Sequence, residues 1–373
     1  MRCLFLILFF LLAGQPRSFD RSSPLETVSE TTANASVGDL NGDGRLDILL
    51  AKGRHWPLHD VILPGDGKGG FAPAELLPNE ADRSYSAVLA DLDGDGDLDI
   101  VLSNDRPDPK RILLNDGTGK FTVAGTFGDP QWPTRNIAVA DFNGDRRPDI
   151  AVANRGRTPN FVCLNDGKGG FPTCHELGPE SSATVLAGDF DSDGHIDIAV
   201  AHRDNGQSLV YLNDGKGNFP RQQPFGPAAA STRAMGLGDF DGDGRLDVAA
   251  CHEQLGLFLY FNTGSGSFGP GHQIAGSDAL PYSMLVADLN RDGRPEIVVG
   301  FVEAPGTVYF NDGSGRNYQR VVFGDNQGAI YGMAAADFNG DGYPEIVAAR
   351  SGAPSILFFS GPANQSPGKA PAR

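Results

Sequence analysis

The chain has 373 residues, of which 40% are hydrophobic and 21% charged, values typical of a globular protein with one large domain or two ordinary ones. Its formal net charge of −17 argues against nucleic acid or an anionic membrane as the partner of the molecule as a whole. The 50 glycines and 26 prolines recur at fixed places, so we interpret them as turn residues rather than as a sign of disorder.

The first predicted element is an apolar run near the N-terminus. Met1-Arg2-Cys3 precedes the nine apolar residues Leu4–Leu12, and small residues follow. This pattern predicts a secretory signal peptide over residues 1–18. A membrane anchor is the alternative, but nine residues are too few for a bilayer core, which needs about 20. We therefore expect a secreted monomer, extracellular or periplasmic, without a transmembrane segment.

A nine-residue Asp-rich loop then recurs seven times. The first copy spans residues 39–47, and the others begin at residues 91, 141, 189, 239, 288 and 337, which places them 48 to 52 residues apart. A Gly-rich turn follows each of the first six copies, and short apolar runs separate these elements. No run is long enough for an ordinary helix, and four strands in about 50 residues make a propeller blade.

The repeats predict an all-β, seven-bladed β-propeller of four-stranded blades over residues 19–360, followed by a flexible Pro/Gly-rich tail, residues 361–373. The seventh copy stops after a strand at 356–359, without a Gly-rich turn or a fourth strand. Ser23–Glu30 resembles a strand and is expected to close the ring as the fourth strand of blade seven, because closure removes two sheet edges. A linear solenoid, the alternative all-β architecture, gives no reason for this complementary gap.

Oxygen-bearing side chains occupy positions one, three, five and nine of every Asp-rich loop, and position seven can offer its backbone carbonyl. Hard oxygen ligands in this arrangement are typical of Ca²⁺, which takes roughly six to eight oxygens. A single copy could equally be an Asp/Gly turn without metal. Seven loops that each carry the full set of oxygen ligands favour binding of up to seven Ca²⁺. The predicted ligands are Asp39, Asn41, Asp43, Arg45, Asp47, Asp91, Asp93, Asp95, Asp97, Asp99, Asp141, Asn143, Asp145, Arg147, Asp149, Asp189, Asp191, Asp193, His195, Asp197, Asp239, Asp241, Asp243, Arg245, Asp247, Asp288, Asn290, Asp292, Arg294, Glu296, Asp337, Asn339, Asp341, Tyr343 and Glu345.

The seven loops are not equivalent. Position six, where a positive φ is expected, is Gly in six loops but Arg146 in the third, which should be the weakest site. Loops six and seven end in Glu296 and Glu345, whose longer side chains should alter the geometry.

The Asp-x-Asp/Asn-x-Asp-Gly-x-x-Asp loop, followed by Asn-Asp-Gly-x-Gly-x-Phe, resembles the FG-GAP/VCBS repeat family, which includes the propeller head of integrin α subunits. The resemblance covers roughly residues 24–360. It implies a calcium-bearing propeller whose Asp-rich loops join the first and second strands on the lower face, and a role in adhesion, recognition or scaffolding. A minority of seven-bladed propellers are polysaccharide lyases. The chain departs from the pattern at Arg146, at Arg291 and in its seventh copy.

The connections on the face opposite the Asp-rich loops can be aligned by counting from each loop. Residues six positions before the first Asp include Tyr85, Arg135, Arg233, Tyr282 and Tyr331, and residues thirteen positions after it include Lys52, His202, His252 and Arg350. We predict that both sets ring the mouth of the channel and bind an anionic glycan or an extracellular protein, more tightly as the pH falls through about 6.5. Solvated loop charges are the alternative interpretation.

Two other functions stay open, a polysaccharide lyase or hydrolase acting at the channel mouth and a purely structural scaffold. The sequence contains no nucleophile elbow, phosphate loop, His-Glu-x-x-His or dinucleotide fingerprint, so it predicts no catalytic residue. Cys163 and Cys174 flank a predicted hairpin turn and could form a disulfide, whereas Cys251 is expected to be a buried free thiol.

Overall fold

The computed structural model describes residues 14–179 and 181–363, so the apolar run of the predicted signal peptide lies outside the described residues. The described chain forms strands, turns and loops and contains no helix. Accordingly, these residues include no helix that could span a membrane.

Seven four-stranded antiparallel sheets form the blades of a propeller, which confirms the predicted fold. From the channel outwards, the first four blades are β2 (Thr32–Gly38), β3 (Asp47–Lys52), β4 (Val61–Leu63), β5 (Glu75–Leu76); β6 (Ser84–Ala90), β7 (Asp99–Asn104), β8 (Lys110–Asn115), β9 (Phe121–Phe127); β10 (Thr134–Ala140), β11 (Asp149–Asn154), β12 (Asn160–Leu164), β13 (Thr173–Gly178); and β14 (Ser182–Gly188), β15 (Asp197–His202), β16 (Ser208–Leu212), β17 (Arg221–Phe225). The remaining blades are β18 (Thr232–Gly238), β19 (Asp247–His252), β20 (Gly256–Tyr260), β23 (His272–Ala275); β24 (Pro281–Ala287), β25 (Glu296–Phe301), β26 (Gly306–Asn311), β27 (Tyr318–Phe323); and β28 (Ala329–Ala336), β29 (Glu345–Ser351), β30 (Ile356–Pro362), β1 (Arg17–Pro24). A small hairpin, β21 (Asn262–Gly264) and β22 (Ser267–Phe268), forms the Gly-rich turn of blade five.

Each innermost strand contacts the innermost strands of both neighbouring blades, and contact between β28 and β2 completes the ring. Space around the channel is tight, which explains the small residues in these strands. A Cβ on Gly236 would lie 2.5 Å from Val286 of the next blade, and a Cβ on Gly332 would lie 2.6 Å from the backbone of Asn34. The hydrophobic core is divided into seven clusters, one at each interface between neighbouring blades.

A hydrogen bond between neighbouring blades recurs around the lower face. Asn213 begins the Gly-rich turn of blade four, and its Nδ2 donates to the carbonyl of Phe142 in the Asp-rich loop of blade three at 2.8 Å. Equivalent bonds run from Asn115, Asn165, Asn262 and Asn311 to the preceding blades. Each of these five Gly-rich turns therefore fastens its own blade to the one before it.

The ring is closed by a strand from the N-terminal side, as predicted, but the residues differ. Strand β1 is Arg17–Pro24, not Ser23–Glu30, and it pairs with β30 on the outer edge of blade seven. Phe19 is buried there against Phe323. After Pro24 the chain must still travel from the outer edge to the innermost strand of blade one, and residues 25–31 make that crossing. Strands β1 and β30 thus extend beyond the predicted limits at residues 19 and 360.

The cysteines occupy two different environments. Cys163 and Cys174 lie directly opposite one another on β12 and β13 and form a disulfide. Cys251 is a buried free thiol, as predicted, and burial raises its pKa to about 12.

Candidate functional site

The Asp-rich loops join the first and second strands of each blade on the lower face, and carboxylates hold their turns in shape. In the first loop, Asp39 accepts the N–H of Gly44 at 2.8 Å, and Asp43 accepts that of Arg45 at 2.9 Å. The backbone at position six has a positive φ in all seven loops, including 68° at Arg146. The predicted turn geometry is therefore present even where the residue is not Gly.

The carboxylate at position nine has a structural role that the sequence did not predict. Asp149 is buried and accepts the N–H groups of Phe142 at 3.1 Å and Asn165 at 2.8 Å, which joins its loop to the following Gly-rich turn. The same pair of bonds is made by Asp47, Asp99, Asp197 and Asp247. Burial raises the pKa of Asp149 to about 6, although both hydrogen bonds oppose that rise.

The glutamates that end loops six and seven change this arrangement. Glu296 accepts the N–H of Leu289 at 2.7 Å, but its Oε1 is buried and has no hydrogen-bond partner among the described residues. Glu345 accepts the N–H of Phe338 at 2.9 Å and the side-chain amide of Asn339 at 2.8 Å. The longer side chain therefore alters the contacts at both loops.

Three loops bring acidic side chains close enough to hold a cation together. In loops two, four and five, the carboxylates at positions one, three and nine each offer an oxygen, and these oxygens lie within 4.8 Å of one another. Asp191 and Asp241 each keep a buried Oδ1 without a hydrogen-bond partner in the described chain. A cation would compensate those oxygens, so the residues fit a metal ion. The other four loops carry Asn at position three and form no such acidic group within the described residues.

Replacing Arg146 with Gly is expected to stabilise the protein by about 1 kcal/mol, because the left-handed conformation costs a residue with a Cβ about 1–2 kcal/mol. The matched control is Gly244→Arg in loop five, where φ is 85° and a Cβ would meet no atom within 4 Å. This control should lose a similar amount of stability. Urea unfolding midpoints, measured with calcium and with chelator, check both changes. A less stable Arg146→Gly protein would contradict the expected strain.

A cavity of about 350 Å³ opens on the opposite face, at the mouth of the channel. Its rim carries five arginines and three tyrosines, namely Arg54, Tyr85, Arg135, Arg155, Arg203, Arg233, Tyr282 and Tyr331. Deeper along the innermost strands the lining is mixed, with Met235, Met284 and Met333 beside the polar side chains of Asn136, Thr184 and Ser283. No acidic side chain belongs to this lining among the described residues.

The structure separates the two sets of residues predicted for this face. Tyr85, Arg135, Arg233, Tyr282 and Tyr331 all line the cavity. Lys52, His202, His252 and Arg350 do not, because each lies at or near the end of a second strand, behind the innermost strands. The expectation that this second set rings the mouth was therefore wrong.

The partners of the second set explain its position. Lys52 is buried and ion-paired with Glu26 and Glu30, which fastens the segment that crosses to blade one. Arg350 donates to Asp325 and to the carbonyl of Pro354, both at 2.7 Å. His252 forms a 2.7 Å hydrogen bond with the Tyr260 hydroxyl.

The prediction that binding tightens as the pH falls through about 6.5 must also be revised. Burial lowers the pKa of His252 to about 4. His55 is the histidine that lines the cavity within the described chain, and burial, followed by the charge of Arg54, lowers its pKa as well. Protonation of His55 would therefore strengthen anion binding only below about pH 6.5.

Three arginines of the rim were missing from the predicted set. Arg155 and Arg203 lie one residue beyond the positions chosen by counting from the Asp-rich loops, and Arg54 lies two residues beyond. The concentration of Arg just after the second strands already places these three arginines on this face in the sequence, although the predicted ligand-binding set did not include them.

Aromatic rings and outer acids hold the arginines of the rim in place. The guanidinium carbon of Arg54 lies 3.5 Å from the ring centre of Tyr331, and that of Arg135 lies 4.2 Å from Tyr85. Arg135 also pairs with Asp105 at 2.9 Å. Arg233 pairs with Glu253 and Arg155 with Asp204.

These acids lie outside the lining and only partly balance the five arginines, so the cavity stays electropositive. Arg54 has no ion-pair partner among residues 14–179 and 181–363, and its Nε is buried without a hydrogen-bond partner there.

The pKa values of two neighbouring tyrosines in the rim are shifted in opposite directions. The ring centres of Tyr282 and Tyr331 are 4.0 Å apart. Burial opposes ionisation of Tyr282, but its hydrogen bond with Tyr331 and the charge of Arg233 outweigh burial and lower its pKa. Burial raises the pKa of Tyr331. Tyr282 is therefore the more acidic of the pair.

Comparison with known proteins identifies both the repeat and the fold. The sequence profile described as FG-GAP-like repeat matches residues 39–102, 91–152, 141–200, 189–250, 239–299 and 301–348. No curated protein sequence matches the chain significantly.

Solved structures share the fold at low sequence identity. BBS1N, in a complex with ARL6DN, is 13% identical with a TM-score of 0.59, over 92% of this chain and 96% of that one. A rhamnogalacturonan lyase from Bacillus licheniformis is 17% identical with a TM-score of 0.52, over 92% of this chain and 76% of that one. An exotype rhamnogalacturonan lyase is 16% identical with a TM-score of 0.55, over 91% and 75%.

Proposed function

Because the chain belongs to the FG-GAP-like repeat family, we propose that it is a secreted, calcium-binding propeller that recognises an anionic ligand at the mouth of its channel. The ligand is an acidic glycan or a carboxylate-bearing extracellular protein. The single observation that carries the proposal is the cavity whose described lining has five arginines and three tyrosines but no acidic side chain.

Calcium has a stabilising role in this proposal. The acidic groups of loops two, four and five, with the partnerless oxygens of Asp191 and Asp241, support it there most directly. The other loops share the turn but have fewer converging acids, so their sites are expected to be weaker. The Cys163–Cys174 disulfide and the apolar run near the N-terminus support secretion, because disulfides persist in oxidising compartments.

The chemistry of the rim favours an anion with sugar-like surfaces. A guanidinium group matches a carboxylate or sulfate with two parallel hydrogen bonds. A tyrosine ring offers an apolar face to a sugar, and its hydroxyl can bond to sugar oxygens. Below the rim, the side chains of Met235 and Met284 can contact a less polar part of the same ligand.

A double substitution tests the proposal. Arg135→Ala with Arg233→Ala should weaken binding at least 100-fold, since hydrogen bonds to charged groups contribute about 1.5–3 kcal/mol each. The ligand comes from an array of acidic and neutral glycans, and titration calorimetry at two salt concentrations measures the affinity. Binding by the parent protein should weaken with salt, because exposed charges are screened over about 8–10 Å.

The matched control is Lys168→Ala with Lys216→Ala. It removes the same charge from exposed turns on the lower face and should leave the affinity unchanged. Unchanged affinity in a folded Arg135/Arg233 variant would mean that the rim is not the binding site.

A second candidate function is a polysaccharide lyase, and the tyrosine pair favours it. Tyr282 has a lowered pKa beside Arg233 and Arg54, so it could take the proton next to a sugar carboxylate that those arginines neutralise. A C=C bond then forms as the glycosidic C–O bond at the neighbouring carbon breaks, and the departing oxygen takes up a proton from Tyr282 or from water. Incubating the protein with the acidic glycans that it binds distinguishes the two functions. Accumulation of an unsaturated, ultraviolet-absorbing product that is lost in Tyr282→Phe would assign the lyase activity. Binding without product supports recognition.

A further inference from the structure

A second electropositive cavity lies beside the central one. Its volume is about 380 Å³, and the connections before β10, between β7 and β8 and between β11 and β12 form its walls. Within the described part of the chain, the charged residues of its lining are all arginines, namely Arg106, Arg135, Arg155 and Arg157. Thr158 adds a hydroxyl to the same wall.

The two cavities are neighbours that share two lining residues. Arg135 and Arg155 belong to both, so these two side chains form the boundary between them. A ligand held by Arg135 and Arg155 at the central mouth therefore lies next to Arg106 and Arg157 as well.

The outer pair of arginines is available for a ligand. Arg106 and Arg157 are exposed, and neither side chain forms an ion pair with another described residue. Asp105 and Asp204 pair with the shared residues Arg135 and Arg155 instead. Among the described residues, these two ion pairs balance Arg135 and Arg155 and leave the charges of Arg106 and Arg157 for an anion to neutralise.

Hydrogen bonds fix the backbone that carries these arginines. Arg155 donates its N–H to the carbonyl of Pro133 at 3.1 Å, and Gly156 donates to the hydroxyl of Ser181 at 2.8 Å. The N–H of Arg106 donates to Asp105 at 2.9 Å. These bonds hold the loop backbone, so ordering of the loops themselves adds little to the entropy cost of binding.

We propose that Arg106 and Arg157 form a second anion subsite, and that the ligand is a polyanionic glycan long enough to fill both cavities. This inference rests on the proposed function of the central mouth. A single carboxylate would need only one cavity, whereas a chain with a charge on successive sugars can bind to both sets of arginines. The tyrosine faces of the central rim favour a glycan over an acidic peptide.

The test uses two series of oligosaccharides of increasing length, galacturonate oligomers and heparin-derived oligomers, with calorimetry on the full-length protein. For at least one series, affinity should rise with length. The Arg106→Ala, Arg157→Ala variant should bind the long oligomers about 10- to 100-fold more weakly and the shortest binding oligomer unchanged. The Lys168→Ala, Lys216→Ala variant should match the parent protein at every length.

The outcomes separate this inference from the proposed function. Length-independent binding that still requires Arg135 and Arg233 would overturn the second subsite and leave the central site intact. Failure of the galacturonate, heparin and oligoglutamate series alike to bind the parent protein would overturn both. Binding of an oligoglutamate series, but of neither glycan series, with the same dependence on Arg106 and Arg157 would overturn the assignment to a glycan.

Discussion

A protein that lacks β1, residues 17–24, is expected to aggregate or to unfold at a much lower temperature than the full chain. The deletion removes the strand that pairs with β30 and takes Phe19 out of the core between blades six and seven. Loss of a buried Phe side chain alone costs about 3–5 kcal/mol. The newly exposed edge of blade seven, strand β30, could then pair with other molecules. Light scattering and thermal unfolding measure the two effects.

Point variants distinguish the effect of losing the Phe19 core contact from the effect of losing the whole strand. Phe19→Ala should lower the unfolding free energy by about 3–5 kcal/mol, whereas Ser22→Ala, at an exposed position of the same strand, should change it little. Deleting residues 364–373 is the matched truncation and should have almost no effect. A β1 deletion as soluble and stable as the full chain would show that the ring does not depend on this strand.

Chelation is expected to lower the melting temperature by about 10 °C or more, because ions that bind only the folded protein stabilise it by mass action. A site filled at a hundredfold excess over its Kd contributes about 2.7 kcal/mol. Three such sites, in the loops with three converging acids, would contribute about 8 kcal/mol. Without the ions, those carboxylates repel one another across a few ångströms.

Loops three and five provide the matched comparison for the calcium sites. Asp239→Ala with Asp243→Ala should cost more stability than Asp141→Ala with Asp145→Ala, because loop five has the acidic group that loop three lacks. The difference should disappear in chelator. Metal analysis that finds no more than one calcium per chain would contradict the seven-site proposal.

Much of the fold could be predicted because the repeat shows it seven times. The even spacing of the Asp-rich loops indicated seven blades, and the incomplete seventh copy indicated closure by the other end of the chain. Even the backbone of Arg146 could be predicted, because Gly at the same position of the other six loops indicated a positive φ there.

The candidate site could be predicted only in part, because counting along a repeat gives a position on a strand but not the direction of a side chain. Tyr85 and Arg135 lie on innermost strands, which all face the channel. Lys52 and His252 end second strands, which are covered by other strands on both sides. Lys52 pairs with Glu26, which lies before the first repeat, and His252 bonds to Tyr260 of its own blade, so the repeat pattern predicts neither contact. The closing strand was misplaced for a similar reason, since the length of chain needed to cross a blade has no signature in the repeat.

The closing contact also affects the order of events in folding. Arg17 donates from Nε to the hydroxyl of Ser360, across 343 residues of sequence, whereas almost all other strand pairings are local hairpins within one blade. Local contacts form quickly, and contacts that close a long loop form slowly because of their entropy cost. The blades can therefore assemble early as an open arc, and joining of its two ends is the late, slow step. Refolding yield should depend on protein concentration during that interval, when the arc can join a second chain instead of its own end.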